Sequence, residues 1–366
     1  MPDVKLIIGG LEYSGWKEVS VSRSMDAMAG KFDLSLSDRW QTGAQAIPLY
    51  PEQECQLLLD GQPVITGFID AVMPSFDAGQ HGIRVTGRDR TADLVDCSAI
   101  HSPGELLGQD LAQIIRVLCK PFGLDLFASI DVGKAFKTFK LQPGETNFEA
   151  IDRACRQRGV LPSSDVRGRV ILASIGSDRA DALIQGENIL KASANHSTYD
   201  RFSEYIVTGQ QQGTNDTFGL AASAVRATAK DEGVLRHRPL QIMAETQATP
   251  ESARERAGWE ANVRAAKSSE VSITVQGWRM SDGRLWQVNA MSRVQSDFLR
   301  VDQDLIIKSV NFSLGSGGTL TSLTLCRKDA FVRKPEAKKD VSALPDLLEP
   351  IRKAADAACT DGGYGR

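Results

Sequence analysis

"PVITGFIDAVMPSFDAGQHGIRVTGRDRTADL" (residues 63–94) and "DLIIKSVNFSLGSGGTLTSLTLCRKDAFV" (residues 304–332) read alike. Each is a strand-like run, a hairpin loop containing glycine, a second strand-like run, then charged residues and an apolar turn. The chain therefore writes one β unit twice, far apart. "VTGRDRTADL" in the first copy has its counterpart in "LTLCRKDAFV" in the second, which matches Arg88 and Asp89 loosely with Arg327 and Asp329. A dense cluster such as Arg88, Asp89, Arg90, Asp93 and Asp96 could be an active site or a brace at a corner. Its recurrence at a strand exit favours the brace, because Arg and Asp side chains satisfy backbone groups freed where a ladder stops. Arg88, Asp89, Arg90, Asp93, Arg327 and Asp329 are accordingly predicted to form turn ion pairs.

Outward from this repeat, residues 4–90 hold short, often alternating runs such as "VKLIIGG", "KFDLSLSD" and "ECQLLLDG", punctuated by Gly, Pro and Asp. Alternation of period two marks half-buried antiparallel strands, and regular turn spacing suggests a small barrel or sandwich. Helical signals begin near residue 102. Ser102-Pro103-Gly104-Glu105 has the form of a capping box with proline at the first helical position, followed by a stripe of Leu107, Leu111, Ile114, Ile115 and Leu118. A second box, Thr146 to Glu149, opens another helix. From Gly168, "GRVILASIG" supplies a strand, so a small α/β domain interrupts a β protein.

Strands return with "SEYIVTGQ" and, later, "EVSITVQGW", "LWQVNAMSRV", "LIIKSVNFSL" and "LTSLTLCRK". Between them, residues 209–238 are polar and punctuated by glycine, too long for an idle connection, and a helix starts at Thr249-Pro250-Glu251. The polar stretch is predicted to be an arm to a neighbouring subunit, anchored by the forked donors of Arg226, Arg236 and Arg238. Trp16, Trp40, Trp278 and Trp286 are further interface candidates. The predicted division is 1–99, a first β-barrel; 100–184, the α/β insertion; 185–331, a second β-barrel with a long loop at 209–240 and a helix at 250–267; and 332–366, a charged linker and short amphipathic tail.

Chemistry is sparse. The 366 residues carry 46 acidic and 43 basic side chains, so no strong basic field marks a nucleic-acid binder. The six cysteines include no CxxC pair, which predicts reduced thiols and neither a disulfide nor a zinc framework. Cys97 and His101 alone do not make a metal site. "GSGG" at 315–318 lacks the lysine and helix of a phosphate loop, and Asp302 and Asp304 lack the spacing of a calcium loop. No apolar run nears the roughly 18 residues a membrane span needs. No catalytic signature, cofactor or metal is predicted; the protein is expected to be made in the cytoplasm.

Taken in order, "VSRSMDAMAGKFDLSLSDRW", "VTGRDRTADLVDCSA", "YIVTGQ", "DEGVLRHRPL", "RAGWEANVRAA" and "VQGWRMSDGRLWQVN" resemble the Mu-like phage baseplate hub proteins, from about residue 4 to 331. The resemblance implies two tail-tube-like antiparallel β-barrels in one chain, mainly β with an α+β insertion. It also implies a homotrimer at the axis of a contractile tail, related to the hub part of type VI secretion spikes. Partners would be the chain itself, the tail tube protein, the central spike protein and other baseplate proteins, with no membrane and with DNA only in passage. The location would be the virion baseplate, assembled in the host cytoplasm. The alternative is a tail-tip cell-wall hydrolase acting through the insertion, with Glu105, Glu145 or Glu149 as the acid, although helix capping explains glutamates at helix starts more simply.

Overall fold

The computed structural model describes residues 2–38, 49–78, 81–136, 138–156, 160–176, 178–209, 225–243 and 250–331. The first unit is built from β1 (Val4–Ile8), β2 (Leu11–Tyr13), β3 (Glu18–Ser24), β4 (Lys31–Asp38), β5 (Glu54–Leu59), β6 (Gln62–Phe76) and β7 (His81–Asp89). All pair antiparallel. Buried residues alternate along β1, β3 and β5, so one face of each strand meets the core and the other does not. Leu6, Val21, Leu34, Leu57, Ile65 and Val85 lie on the inner face, each stabilising the fold by about 1.5–3 kcal/mol when fully buried.

A short α1 (Ala92–Asp96) leads into the insertion: β8 (Glu105–Leu107), α2 (Leu111–Cys119), β9 (Leu126–Ala128), β10 (Thr138–Lys140), α3 (Asn147–Arg156), β11 (Pro162–Ser164) and β12 (Val170–Leu172). Strands β8 and β10 form a pair, while β11, β12 and β9 form a mixed sheet in which β12 and β9 run parallel. Helices α2 and α3 bury Leu111, Ile114, Ile115, Leu118, Ile151 and Ala154 in a separate core. The Ser102–Glu105 box does not form. Gly104 takes a left-handed φ of 85°, and Glu105 enters β8 instead of a helix. The cap is Asp110, whose side chain accepts from the Gln113 amide at 2.8 Å while Gln113 caps in return at 2.9 Å. Substituting Asp110 by alanine is expected to cost about 1 kcal/mol in a denaturant titration. The Thr146–Glu149 box is present, with reciprocal bonds of 2.8 and 3.2 Å.

The second unit comprises β13 (Asp178–Arg179), β14 (Leu183–Ile184) and β15 (Lys191–His196), then a side domain of β16 (Glu204–Gly209), β17 (Val225–Lys230), β18 (Pro239–Met243) and α4 (Pro250–Lys267). It resumes with β19 (Ser269–Gln276), β20 (Ala290–Ser296), β21 (Val301–Gly315) and β22 (Gly318–Cys326). Its order, β15-β19-β22-β21-β20, repeats the order β3-β4-β7-β6-β5 of the first unit. The one change is that β13 and β14 run parallel to β20, where β1 runs antiparallel to β5. Strand β21 also pairs with β3, joining the units into a 14-stranded sheet. Each unit is an open tube-like barrel, and one core runs through both.

The long loop expected at 209–240 is only partly a loop. Residues 225–230 and 239–243 are strands flanking β16, with α4 packed on the sheet through Ala253 and Ala257. The β17 run "VRATAK" alternates in burial, but its inward positions after Val225 are alanines, too small to stand out as a strand pattern. Residues 210–224, Trp40 and the tail from 332 lie outside the described residues.

Candidate functional site

The two hairpins correspond residue by residue. Strands β6 and β21 are each 15 residues long, and β7 and β22 are each 9. Each long strand carries one bulge against its hairpin partner, between Ile69 and Ala71 in β6 and between Ile307 and Ser309 in β21, and β6 has a further irregularity at Val64 against β5. Asp70 is thus equivalent to Lys308, Phe76 to Leu314 and Asp89 to Arg327. A bulge bends and twists its strand, which lets one strand serve two neighbours in turn. Strand β21 does so, pairing with β20 before the bulge and with β3 after it. The seam after the bulge matches Val310 with Arg23, Phe312 with Val21 and Leu314 with Val19.

Each bulged residue is charged and compensated, with the sign reversed between units. Asp70 accepts from Arg88 at 2.8 Å, and Arg88 also donates to Asp96 at 2.8 Å. Lys308 reaches Glu270 at 2.6 Å and Asp26 at 2.8 Å. Hydrogen bonds donated to Asp96 and Asp70 raise the Arg88 pKa, and the Arg88 bond holds Asp96 below the usual carboxylate value. Arg88 and Asp96 therefore form part of one braced corner.

Asp89 does something different. Its buried carboxylate accepts from the Gly30 amide at 2.8 Å, the Thr91 amide at 2.9 Å, the Thr91 hydroxyl at 2.5 Å and the Ser164 hydroxyl at 2.9 Å. Ser164 in turn accepts from Arg23, which also donates to the carbonyls of Ser164 and Val64. Loss of hydration lowers the Arg23 pKa, with Asp89 and Asp165 opposing that shift. One network thus ties β3, β6, the β7 exit and the insertion together. The signal for Arg23 was legible: it follows Val19 and Val21 on the inward parity of β3, where a charge needs partners.

The remaining sequence candidates scatter. Arg90 approaches Glu54 at 3.4 Å with its Nε buried and unbonded, and Asp93 has no ion pair among the described residues. Arg327 pairs with Asp329 at 2.6 Å, although the hairpin registers make Arg327, not Asp329, the equivalent of Asp89. Trp278 and Trp286 sit in the single chain's own core, with exposures of 2% and 4%, and so offer little area to another subunit. Strands rich in small residues leave volume that large indoles fill from within. Trp16 is buried likewise. Arg226 and Arg236 are exposed. Arg238 is occupied inside the chain, donating to the carbonyls of Thr198 and Tyr199 at 2.9 and 3.0 Å.

Beside Arg238, Asp231 accepts from Arg201 at 2.7 and 2.9 Å, which is the main reason its pKa is lowered. A depressed carboxylate stabilises the fold above its unfolded pKa and loses that contribution as pH falls through the folded value. Hydrogen-exchange protection in β16–β18, taken relative to the intrinsic rate at each pH, is therefore expected to fall below about pH 4, and Asp231→Asn should flatten that acid response.

The insertion's glutamates are engaged structurally: Glu105 lies 3.7 Å from Lys140, Glu145 is buried 2.7 Å from Arg153, and Glu149 caps α3. Among the described residues no cluster of three His, Cys, Asp or Glu side chains could hold a metal ion.

Comparison with known proteins places the site in context. Residues 3–89 match the model described as Mu phage baseplate assembly protein GpP-like, N-terminal, and residues 91–174 match baseplate hub protein gp44-like, second domain. Residues 201–258 match tail protein NMB1110-like, third domain, and residues 249–334 match Mu phage baseplate assembly protein GpP, fourth domain. The baseplate hub protein gp44 of Escherichia phage Mu is 33% identical over 345 residues, covering 92% of this chain and 90% of that protein. The 43 kDa tail protein of prophage MuSo2 from Shewanella oneidensis is 35% identical, with a TM-score of 0.82 over 91% of this chain and 100% of that one. The E. coli c3393 protein, a component of the type VI secretion system, shares the fold at a TM-score of 0.54 and 12% identity, covering 91% of this chain and 79% of its own.

Proposed function

The chain belongs to the baseplate hub proteins of Mu-like phages, and from that premise we propose that three copies close a ring joining a sixfold tail tube to a threefold spike. It is a structural component of the virion's tail baseplate and not an enzyme. One observation carries the proposal: a single chain holds two β units of the same strand order and hairpin lengths, with the hairpin bulge at the same position. Three such chains present six near-equivalent units on one face while remaining strictly threefold elsewhere. The partners this requires are a second and third copy, the tube protein, the spike protein and neighbouring baseplate proteins.

The face of the joined sheet that turns away from the core supports a channel for DNA. It carries short hydroxyl side chains such as Ser20, Ser22, Ser35, Thr86, Thr274 and Ser322. Many of its charges are matched locally, as with Arg84 and Asp33 at 2.9 Å and Arg88 with Asp70. Lys31 and Lys191 are exposed on this face without an ion pair among the described residues, and a wall whose other cations are largely paired gives phosphates little to hold, so DNA can pass. Light scattering of the purified protein is expected to return three times the 39.7 kDa chain mass, with tube and spike proteins captured by that species. A monomer at every concentration would end this reading.

A further inference from the structure

Among the unpaired strand edges of the described residues, two belong to the repeated hairpin units and their neighbours. The half of β6 beyond its bulge, Ala71–Phe76, pairs with β7 on one side only, and β15 pairs with β19 on one side only. They are the equivalents of the two edges that meet inside the chain. The post-bulge half of β6 corresponds to that of β21, and β15 corresponds to β3. The free edge of each unit therefore lacks the partner its twin already has.

Resting on the trimer reading above, we infer that β6 of one copy pairs antiparallel with β15 of the next, repeating between chains the β21–β3 seam found within each. The occupant is a second copy of this chain. The intrachain seam sets the register: Val72 faces His196, Pro74 faces Ala194 and Phe76 faces Ala192 of the neighbour. On the opposite face, Met73 meets Asn195 and Ser75 meets Ser193.

Three features of the edges agree with this. Backbone donors point outward as the pairing needs. Met25 donates to the Lys308 carbonyl, which places Val310, Phe312 and Leu314 among the residues bonded to β3, and Val72, Pro74 and Phe76 are their equivalents. Ser197 donates to Ser268 on the β19 side, so Ala192 and Ala194 direct their amides to the free edge. The side chains also complement one another: Phe76, 83% exposed, would lie against a small alanine where the intrachain seam sets Leu314 beside Val19. On the other face the facing residues Met73, Ser75, Ser193 and Asn195 are uncharged, matching Ser313 beside Ser20 and Asn311 beside Ser22. Pro74 withholds one donor, so the seam between chains is weaker than the one within.

Paired cysteines test the register. In a background of Cys97→Ser and Cys359→Ser, Met73→Cys with Asn195→Cys is expected to give oxidised dimers and trimers on a non-reducing gel, and no larger species. Met73→Cys with Ser193→Cys, displaced by two residues, should cross-link at least about tenfold less, since diagonal neighbours stand well beyond disulfide reach. Ala194→Pro removes an amide that faces only the free edge. It should leave the chain folded and weaken each of the three seams about tenfold, the loss expected for one hydrogen bond per seam. A trimer by light scattering that ignores both cysteine registers, or is indifferent to Ala194→Pro, overturns this seam while leaving the trimer standing. A wild-type protein that stays monomeric overturns both.

Discussion

Replacing Asp89 with alanine is expected to lower stability by about 3–5 kcal/mol, the cost of leaving a buried charge and its donors without their partner. The carboxylate accepts four hydrogen bonds, two of them from backbone amides. Removing it strands the amides of Gly30 and Thr91 and leaves the enclosed Arg23 guanidinium with Asp165 alone to offset its charge. The loss should appear as a reduced denaturation midpoint, with the insertion and the first β unit unfolding less cooperatively, because Ser164 is one of the contacts that join them. Arg23→Met in the Asp89→Ala background should recover part of the stability, since an apolar pair tolerates burial where a lone charge does not. A single-variant loss under about 1 kcal/mol, or no coupling in the double-mutant cycle, would show that the corner is held by packing alone.

This corner also shows how far the sequence could be read. The repeat was visible because strands, hairpin and charged exit recur in one order, and period-two alternation is a local property of neighbouring residues. The separate roles of Arg88 and Asp89 were not visible, because parity assigns them to opposite faces and only the partners decide what each does. Arg88 meets Asp70 across a bulge that shifts register by one residue, and Asp89 meets Ser164 from a different domain. The first α-helix of the insertion was misplaced at its start because Ser-x-x-Glu also occurs in turns, and tertiary pairing of β8 with β10 drew Glu105 into a strand. Trp278 and Trp286 illustrate the same limit from the other side. An indole reads as an interface anchor or a core filler equally well, and here the open barrels needed filling. The strands at 225–243 were hidden by their alanines, which pack well against Ala253 and Ala257 of a helix but carry little hydropathic contrast.

The two units solve one packing problem in opposite ways, and this yields the second large effect. In the first unit Phe32 stands opposite Gly87; at the equivalent place in the second, Val271 stands opposite Leu325. All of these positions face the core. Large-with-none and medium-with-large fill similar space, so each pair is tuned as a pair. Gly87→Leu alone is expected to destabilise by about 3 kcal/mol or more, because its Cβ would lie 2.4 Å from the Phe32 ring and 2.3 Å from the Phe68 carbonyl oxygen. Adding Phe32→Val transplants the second unit's solution into the first and removes the ring clash. It should recover part of the loss and not all of it, because the Phe68 oxygen belongs to the β6 backbone and cannot step aside. Thermal melts of the wild type, both singles and the double measure this directly. Full recovery would mean that β6 is free to shift, and no recovery would mean that the close approach of β6 and β7, rather than side-chain volume, keeps glycine at position 87.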